Sequence, residues 1–147
     1  MNATNPMPTA TPDLESLCVA DVMTIDPVVV RSDASIASAE NLLSAYRISG
    51  LPVVDDGGHL VGVISKTDLV PDGSPGVEAV IRANGKCLRV GELMSSPPVT
   101  VAMTATLVEA ARVMHEARVH RLVAVDERGR PIGVLSASDY VAVIAEG

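Results

Sequence analysis

Aromatic residues are almost absent from this sequence. It contains no Phe and no Trp, and its two tyrosines are Tyr46 and Tyr140. Proteins that bind single-stranded nucleic acids stack the bases on aromatic side chains, so this composition disfavours that function. The net charge of -7 points the same way, because nucleic-acid-binding proteins present basic surfaces. Since 48% of the residues are nevertheless hydrophobic, we expect a core built from aliphatic side chains.

The sequence also lacks the segments that direct a chain to a membrane. The N-terminal residues have neither the basic start nor the apolar run of a signal peptide. No stretch approaches the roughly 20 apolar residues of a membrane-spanning helix. Cys18 and Cys87 are too few for a disulfide framework, and no His/Cys cluster has the spacing of a zinc site. We therefore expect a cytoplasmic protein without a membrane, nucleic-acid or metal partner, and we favour free thiols over a disulfide or metal-binding pair.

The second half of the chain repeats the first. Residues 90–140 align with residues 19–69 without a gap, so that Asp139 repeats Asp68 at an offset of 71 positions. Roughly a third of the aligned residues are identical, and a gapless duplication over about 50 residues is a far stronger signal than a short motif. The sequence therefore predicts two copies of one structural unit.

We divide the chain accordingly. Residues 14–70 form repeat 1, and residues 90–147 form repeat 2. The segment 1–13 is rich in Pro and Thr and is expected to be disordered. Residues 71–89 are expected to form a linker that could contain a short helix at 77–83.

Each repeat is predicted to fold as β-α-β-β-α. In repeat 1 we place the first strand at 28–30 and the following helix at 35–47, with Ser32 or Asp33 as its cap. In repeat 2 Thr106 and Glu109 form a capping-box pattern. A strand, a helix and a second strand in succession imply a parallel pair with a right-handed crossover. Because one repeat alone buries a marginal core, we predict an α/β (α+β) fold with the repeats packed sheet to sheet about a pseudo-two-fold axis.

Polar side chains mark the junction between the last strand and the last helix of each repeat. They are Ser65 and Asp68 in repeat 1 and Ser136 and Asp139 in repeat 2. Such a junction is suited to a small anion, and a carboxylate can accept hydrogen bonds from both hydroxyls of a cis-diol. The alternative, which the sequence leaves open, is that both carboxylates only cap their helices.

The two repeats differ in charge. Residues 1–84 carry all of the net charge of -7, whereas residues 85–147 are neutral. His120 and Arg121 stand where repeat 1 has Ser49 and Gly50. The sequence allows two interpretations of Arg121 and His120, as phosphate-binding side chains or as parts of an ordinary solvated surface.

Three motifs resemble a tandem pair of CBS domains, the cystathionine beta-synthase domains of a Bateman module. They are Val-Ala-Asp-Val-Met-Thr at 19–24, Leu-Pro-Val-Val-Asp at 51–55 and Gly-Val-Ile-Ser-Lys-Thr-Asp at 62–68, each with a counterpart in repeat 2. The resemblance covers roughly residues 15–145. The stretch 119–126 further resembles the gamma subunit of AMP-activated protein kinase, whose repeats place a His-Arg pair against nucleotide phosphates.

The resemblance implies clefts between the repeats that bind AMP, ADP, ATP or S-adenosylmethionine as regulatory ligands. Asp68 and Asp139 would hold the ribose, Ser65 and Ser136 would lie near phosphate, and the phosphate contacts can cross from the neighbouring repeat. The remaining residues implied to bind nucleotide, through the base, close backbone approach or phosphate, are Thr24, Ile25, Gly50, Leu51, Pro52, Ser95, Ser96, His120 and Arg121.

We therefore expect a stand-alone regulatory sensor of adenosine ligands rather than an enzyme, because no nucleophile–base pair, metal cluster or P-loop is found. Its output would pass through an effector protein. Similar modules pair through their helices, so a homodimer is expected on helix faces that include Ala110, Ala111 and Ala117. The alternative is a ligand-independent interaction module with vestigial pockets.

Overall fold

The computed structural model describes residues 13–69 and 88–146. Its helices are α1 Val19–Val22, α2 Ile36–Tyr46, α3 Lys66–Leu69, α4 Val90–Leu93, α5 Leu107–Ala117 and α6 Ala137–Glu146. Its strands are β1 Thr24–Ile25, β2 Val30–Arg31, β3 Gly50–Val54, β4 Leu60–Ser65, β5 Thr100–Ala102, β6 Arg121–Val125 and β7 Pro131–Ser136. The predicted β-α-β-β-α order and the mixed α/β class are confirmed. The predictions for residues 1–12, for the linker helix and for Cys87 lie outside the described residues.

The described chain divides into two compact units that do not coincide with the sequence repeats. Unit 1 contains residues 13–25, 99–126 and 132–146, and unit 2 contains residues 26–69, 88–98 and 127–131. The segment with α1 and β1 therefore belongs with most of repeat 2, and the segment with α4 belongs with most of repeat 1. Each unit is built from both repeats.

Unit 1 has a four-stranded sheet in the order β1-β7-β6-β5. Strand β1 runs antiparallel to β7, with Thr24 opposite Val134, and β5 runs parallel to β6. The helix α5 connects the parallel pair, as the sequence predicts. The buried core of this unit consists of Val19, Val101, Leu107, Ala110, Met114, Leu122, Ala124 and Leu135.

Unit 2 has a three-stranded sheet in the order β2-β3-β4. Strand β2 runs parallel to β3, and β3 runs antiparallel to β4 with Gly50 opposite Ser65. Ser95 forms a single bridge to Val63, at the positions equivalent to Thr24 and Val134. The buried core consists of Val30, Ile36, Ala39, Leu43, Leu51, Val53, Ile64, Leu69 and Val90.

The first strand of unit 2 is shorter than its counterpart because of a proline. In unit 1 the N–H of Val123 donates to the carbonyl of Val99, and β5 has three residues. The equivalent of Val123 is Pro52, which has no N–H to donate. Strand β2 accordingly has two residues, Val30 and Arg31, which replaces the predicted strand at 28–30.

The helix caps show where a short sequence pattern is enough to predict the start of a helix. Thr106 and Glu109 form the predicted capping box of α5, with reciprocal hydrogen bonds of 3.1 Å and 2.9 Å. For α2 the cap is Ser35, whose Oγ accepts from the N–H of Ser38. The prediction of Ser32 or Asp33 was wrong, because the helix begins one residue after Ser35 and the carboxylate of Asp33 pairs with Arg31 instead.

Within the described ranges, no helix has the length and apolar character needed to cross a membrane.

Candidate functional site

A carboxylate lies at the same place in both units, in the first turn of the helix that follows a sheet strand. In unit 2 the Oδ2 atom of Asp68 accepts hydrogen bonds from the N–H of Ser65 at 2.8 Å and from its hydroxyl at 3.1 Å. In unit 1 the Oδ2 atom of Asp139 accepts the same two bonds from Ser136, at 2.8 Å and 3.2 Å. Both carboxylates therefore satisfy the N–H that precedes their helix, so the capping interpretation applies to both.

Capping occupies one oxygen of each carboxylate. No hydrogen bond from the described residues reaches the Oδ1 atom of either Asp68 or Asp139. Both side chains are partly buried, and an ionised carboxylate has several acceptor sites on its two oxygens. Each junction thus combines a fixed carboxylate with acceptor capacity that the described residues leave unused.

A pair of hydroxyl groups lies beside each carboxylate. The Oγ of Ser65 is 2.8 Å from Oγ1 of Thr67, and the Oγ of Ser136 is 2.8 Å from Oγ of Ser138. A hydroxyl can both donate and accept hydrogen bonds. The junction can therefore offer donors as well as acceptors to a polar ligand.

Unit 1 brings six of the predicted nucleotide-binding residues together. Strand β1 places Thr24 and Ile25 opposite Val134 and Gly133 on β7, just before Ser136. The carbonyl of His120 accepts from the N–H of Ala137 at 2.8 Å, which fixes the start of β6 beside the start of α6. The set in this unit is Thr24, Ile25, His120, Arg121, Ser136 and Asp139.

Unit 2 repeats this arrangement with different side chains. Ser95 and Val63 exchange backbone hydrogen bonds of 2.9 Å and 3.0 Å, and the carbonyl of Ser49 accepts from the N–H of Lys66 at 3.0 Å. The predicted residues in this unit are Gly50, Leu51, Pro52, Ser65, Asp68, Ser95 and Ser96. Its strand β3 begins with Gly50, where unit 1 has Arg121.

Two of these predicted residues lie in the interior. Leu51 has 0% of its surface exposed and belongs to the core of unit 2, and Pro52 is also buried. Successive residues of a strand point to opposite faces, and both faces are covered here because β3 is the central strand of its sheet. The contact of Leu51 and Pro52 with an adenine ring stays a prediction.

The cationic position of unit 1 is partly sheltered from water. Arg121 is half-buried and His120 is exposed. Burial lowers the pKa of the Arg121 guanidinium below its ordinary value, although an arginine stays protonated at neutral pH. A half-buried guanidinium is less screened by solvent than an exposed one, so its attraction for an anion is stronger.

Each junction also contains a glycine–methionine contact that sequence reasoning did not single out. A Cβ built on Gly133 would collide with the side chain of Met23, and one built on Gly62 would collide with that of Met94. The glycines therefore let β1, and the equivalent bridge at Ser95, approach the neighbouring strand closely. The sequence feature that could have revealed this contact is the 71-residue offset that relates both the two glycines and the two methionines.

Among the described residues, no group of three or more His, Cys, Asp or Glu side chains could hold a metal ion. Cys18 is a free, partly buried thiol.

Comparison with known proteins gives a consistent result. A family model described as CBS domain matches residues 19–71 and 90–146, which correspond to the two sequence repeats. The chain is 33% identical over 120 residues to inosine-5'-monophosphate dehydrogenase of Mycobacterium tuberculosis, covering 81% of this chain and 21% of that enzyme. The chain thus spans about a fifth of the length of such relatives.

Solved structures resemble the chain over most of its length. The crystal structure of CBSX2 in complex with AMP has a TM-score of 0.73 and 34% identity, covering 86% of this chain and 95% of that one. CBSX2 of Arabidopsis thaliana is described as a CBS-pair protein. The CBS domain pair of protein MJ0100, in complex with 5'-methylthioadenosine and S-adenosyl-L-methionine, has a TM-score of 0.71 and 25% identity, covering 87% of this chain and 95% of that one.

Proposed function

This chain belongs to the CBS domain family, and we propose that it is a regulatory module that binds adenosine-containing ligands. The observation that carries the proposal is the repeated junction, in which the Oδ2 atoms of Asp68 and Asp139 are fixed by their helix starts. The Oδ1 atoms retain acceptor capacity for the two hydroxyls of a ribose. The similarity to AMP-bound CBSX2 and to the MJ0100 pair supports an adenosine ligand.

We infer the roles of the surrounding residues from their positions. The exposed residues Thr24 and Ile25 in unit 1, and Ser95 and Ser96 in unit 2, supply backbone groups and side chains for the base. Ser65 and Ser136 supply hydroxyls to the ligand. Leu51 and Pro52, both buried, are proposed to shape the start of β3 beside the base.

We infer that AMP, ADP and ATP are bound with help from Arg121 and His120. The guanidinium of Arg121 can grip two phosphate oxygens at once, and the exposed imidazole of His120 lies next to it in the chain. Neither 5'-methylthioadenosine nor S-adenosylmethionine carries a phosphate, so the affinity for these ligands does not depend on this pair.

The module itself is proposed to carry out no reaction. Ligand binding at the junctions alters the units, and an effector protein converts the change into an output. Affinity capture in the presence and absence of AMP would identify this effector protein. The competing possibility, a ligand-independent interaction module, predicts that no adenosine ligand raises the melting temperature.

Calorimetric titration of the carboxylate variants tests the ribose role. Asp68→Asn and Asp139→Asn keep the shape of the side chain and its ability to cap, but they remove the charge. We expect each variant to weaken adenosine binding at one site, and the double variant to lose both. Asp56→Asn, in an exposed turn, is the control. Unchanged adenosine binding by the double variant would contradict the proposal.

A second titration tests the phosphate role. Arg121→Ala should weaken AMP and ATP binding by roughly 1.5–3 kcal/mol, or about tenfold to a hundredfold, while adenosine binding changes little. Arg112→Ala, on an exposed part of α5, is the matched control. Combining Arg121→Ala with Asp68→Asn or Asp139→Asn assigns the phosphate contact to one of the two sites. Equal AMP affinity in Arg121→Ala and the unmodified protein would place Arg121 among ordinary surface residues.

We also propose that the module is a homodimer that pairs through helices. Val141 and Ile144 on α6 expose 67% and 58% of their surface. Two neighbouring apolar side chains exposed on one helix are typical of a protein–protein contact. The expected face does not include Ala110, which is fully buried in the core of unit 1. Light scattering should show twice the chain mass of 15.2 kDa, and Val141→Asp with Ile144→Asp should restore the single-chain mass.

A further inference from the structure

Helix α6, which carries Asp139, is weakly held by burial. None of its residues is buried, and Val141 and Ile144 are largely exposed. Most helices in proteins are stabilised by packing an apolar face against the rest of the molecule. Within one chain, the position of this helix and of the carboxylate on its first turn therefore depends on individual contacts, of which the hydrogen bond from the N–H of Ala137 to the carbonyl of His120 is one.

Tyr140 supplies such a contact. Its side chain is partly buried and packs against the core of unit 1. Its Oη donates a hydrogen bond of 2.5 Å to the carbonyl of Leu107, which lies 33 residues earlier in the chain. Leu107 is fully buried, and its N–H donates to the carbonyl of Leu17 at 2.9 Å. The acceptor is thus a fixed part of the unit.

Unit 2 holds its equivalent helix in a different way. The residue equivalent to Tyr140 is Leu69, which is 2% exposed and belongs to the core of that unit. The first turn with Asp68 is therefore anchored by an apolar side chain. The first turn with Asp139 is anchored by a phenol that is only partly buried and by its hydrogen bond to α5.

We propose that Tyr140 is a positioning residue for the ligand of Asp139, since its hydrogen bond to Leu107 fixes the first turn of α6 and so the direction of the carboxylate. Tyr140 acts through Asp139 and does not itself touch the ligand. The inference rests on the proposed function of Asp139. Burial, and secondarily the charge of Asp139, raise the pKa of the Tyr140 phenol, so the phenol keeps the proton that it donates throughout the neutral range.

Tyr140→Phe tests this role, because it keeps the ring and removes only the hydroxyl. Adenosine affinity is measured in two backgrounds, Asp68→Asn, which leaves the Asp139 site, and Asp139→Asn, which leaves the Asp68 site. We expect Tyr140→Phe to weaken adenosine binding roughly two- to tenfold in the first background and to leave it unchanged in the second. Tyr46→Phe, at an exposed tyrosine, is the matched control and should change neither.

The outcomes separate the inference from the function on which it rests. Equal adenosine affinity with and without the hydroxyl in the Asp68→Asn background overturns the positioning role, and an equal loss in both backgrounds shows general destabilisation and overturns it too. If the unmodified protein binds no adenosine ligand, the proposed function fails instead. Amide hydrogen exchange at residues 138–141 then tests the positioning role. We expect faster exchange in Tyr140→Phe than in Tyr46→Phe, and equal rates would overturn the positioning role.

Discussion

The β1–β7 pairing of unit 1 and the Val63–Ser95 bridge of unit 2 join equivalent residues of the two units. The N–H of Val19 donates to Ala105 in the same way as the N–H of Val90 donates to Ala34. Both bonds join residues from different sequence repeats. Neither repeat completes a unit by itself, because each unit takes its first helix from the other repeat.

The units differ in how the shared framework is secured. Helix α5 has a reciprocal capping box where α2 has a single serine cap, and α6 has Tyr140 where α3 has the buried Leu69. The comparison shows that close backbone contacts and core positions are repeated. The caps of α2 and α5, and the anchors Leu69 and Tyr140, differ between the units.

The largest loss of stability is expected from weakening the packing of α1 and α4, the helices that each unit takes from the other repeat. Val19→Ala and Val90→Ala each remove methyl groups from a side chain that is 0% exposed. Each should lower the free energy of unfolding by roughly 1.5–3 kcal/mol. Val19→Ala should speed hydrogen exchange in β6, and Val90→Ala should speed it in β3.

Arg112→Ala, at an exposed position of α5, should change neither rate. Faster exchange in β3 after Val19→Ala, with β6 still protected, would show that α1 belongs with its own repeat.

The glycine positions sharpen the comparison. The three atoms nearest to an alanine Cβ at Gly133 would all belong to the Met23 side chain, whereas a Cβ at Gly62 would also lie 2.8 Å from the carbonyl oxygen of Ser95. Overpacking of this kind costs about 1–3 kcal/mol, and we expect Gly62→Ala to be the costlier because a backbone carbonyl cannot turn aside. Urea denaturation measures both.

The double variants distinguish the two causes. Met23→Ala should largely restore the stability of Gly133→Ala, since the three atoms nearest to the added Cβ all belong to the Met23 side chain. Met94→Ala should restore Gly62→Ala only in part. Equal rescue at both sites would mean that the Ser95 carbonyl imposes no constraint.

The helix caps give a smaller difference. Thr106→Ala and Ser35→Ala should each cost about 0.5–2 kcal/mol, because each leaves a backbone N–H without its side-chain acceptor. Ser38→Glu should copy the Glu109 arrangement into α2 and stabilise unit 2 by about 0.3–1 kcal/mol. Thermal unfolding measures the stability of each variant, and Ser44→Glu, late in α2, is the control. Destabilisation by Ser38→Glu would show that a glutamate at this position does not act as Glu109 does in α5.

The smallest effect concerns the hairpin turn of unit 2. Hydrogen bonds, chiefly from the backbone N–H of His59, hold the pKa of Asp55 below its ordinary value of 3.8. A lowered pKa in the folded state means that this carboxylate stabilises the fold above its ordinary pKa, and that the contribution is lost as the pH falls through the lowered value. An NMR titration of the Asp55 carboxyl carbon should have its midpoint below 3.8, and a midpoint at or above that value would contradict the turn geometry.

Local signals account for the parts of the site that the sequence predicted. The Ser65–Asp68 and Ser136–Asp139 pairs were found because a serine and a carboxylate three residues later is a helix-start pattern. Thr106 and Glu109 were recognised by the same rule. The tether from Tyr140 to Leu107 was not found, because a hydrogen bond across 33 residues leaves no local pattern.

The sequence by itself determined the order of helices and strands, the duplication and the two carboxylate junctions, since these depend on spacing within a few residues or on direct comparison of the halves. Only the tertiary structure decided that α1 packs with most of repeat 2 and α4 with most of repeat 1. It also placed Leu51 in the core of unit 2. The physical reason is that apolar burial is non-directional, so an apolar segment such as α1 fits either of two equivalent cores by pattern alone, and the path of the whole chain selects between them.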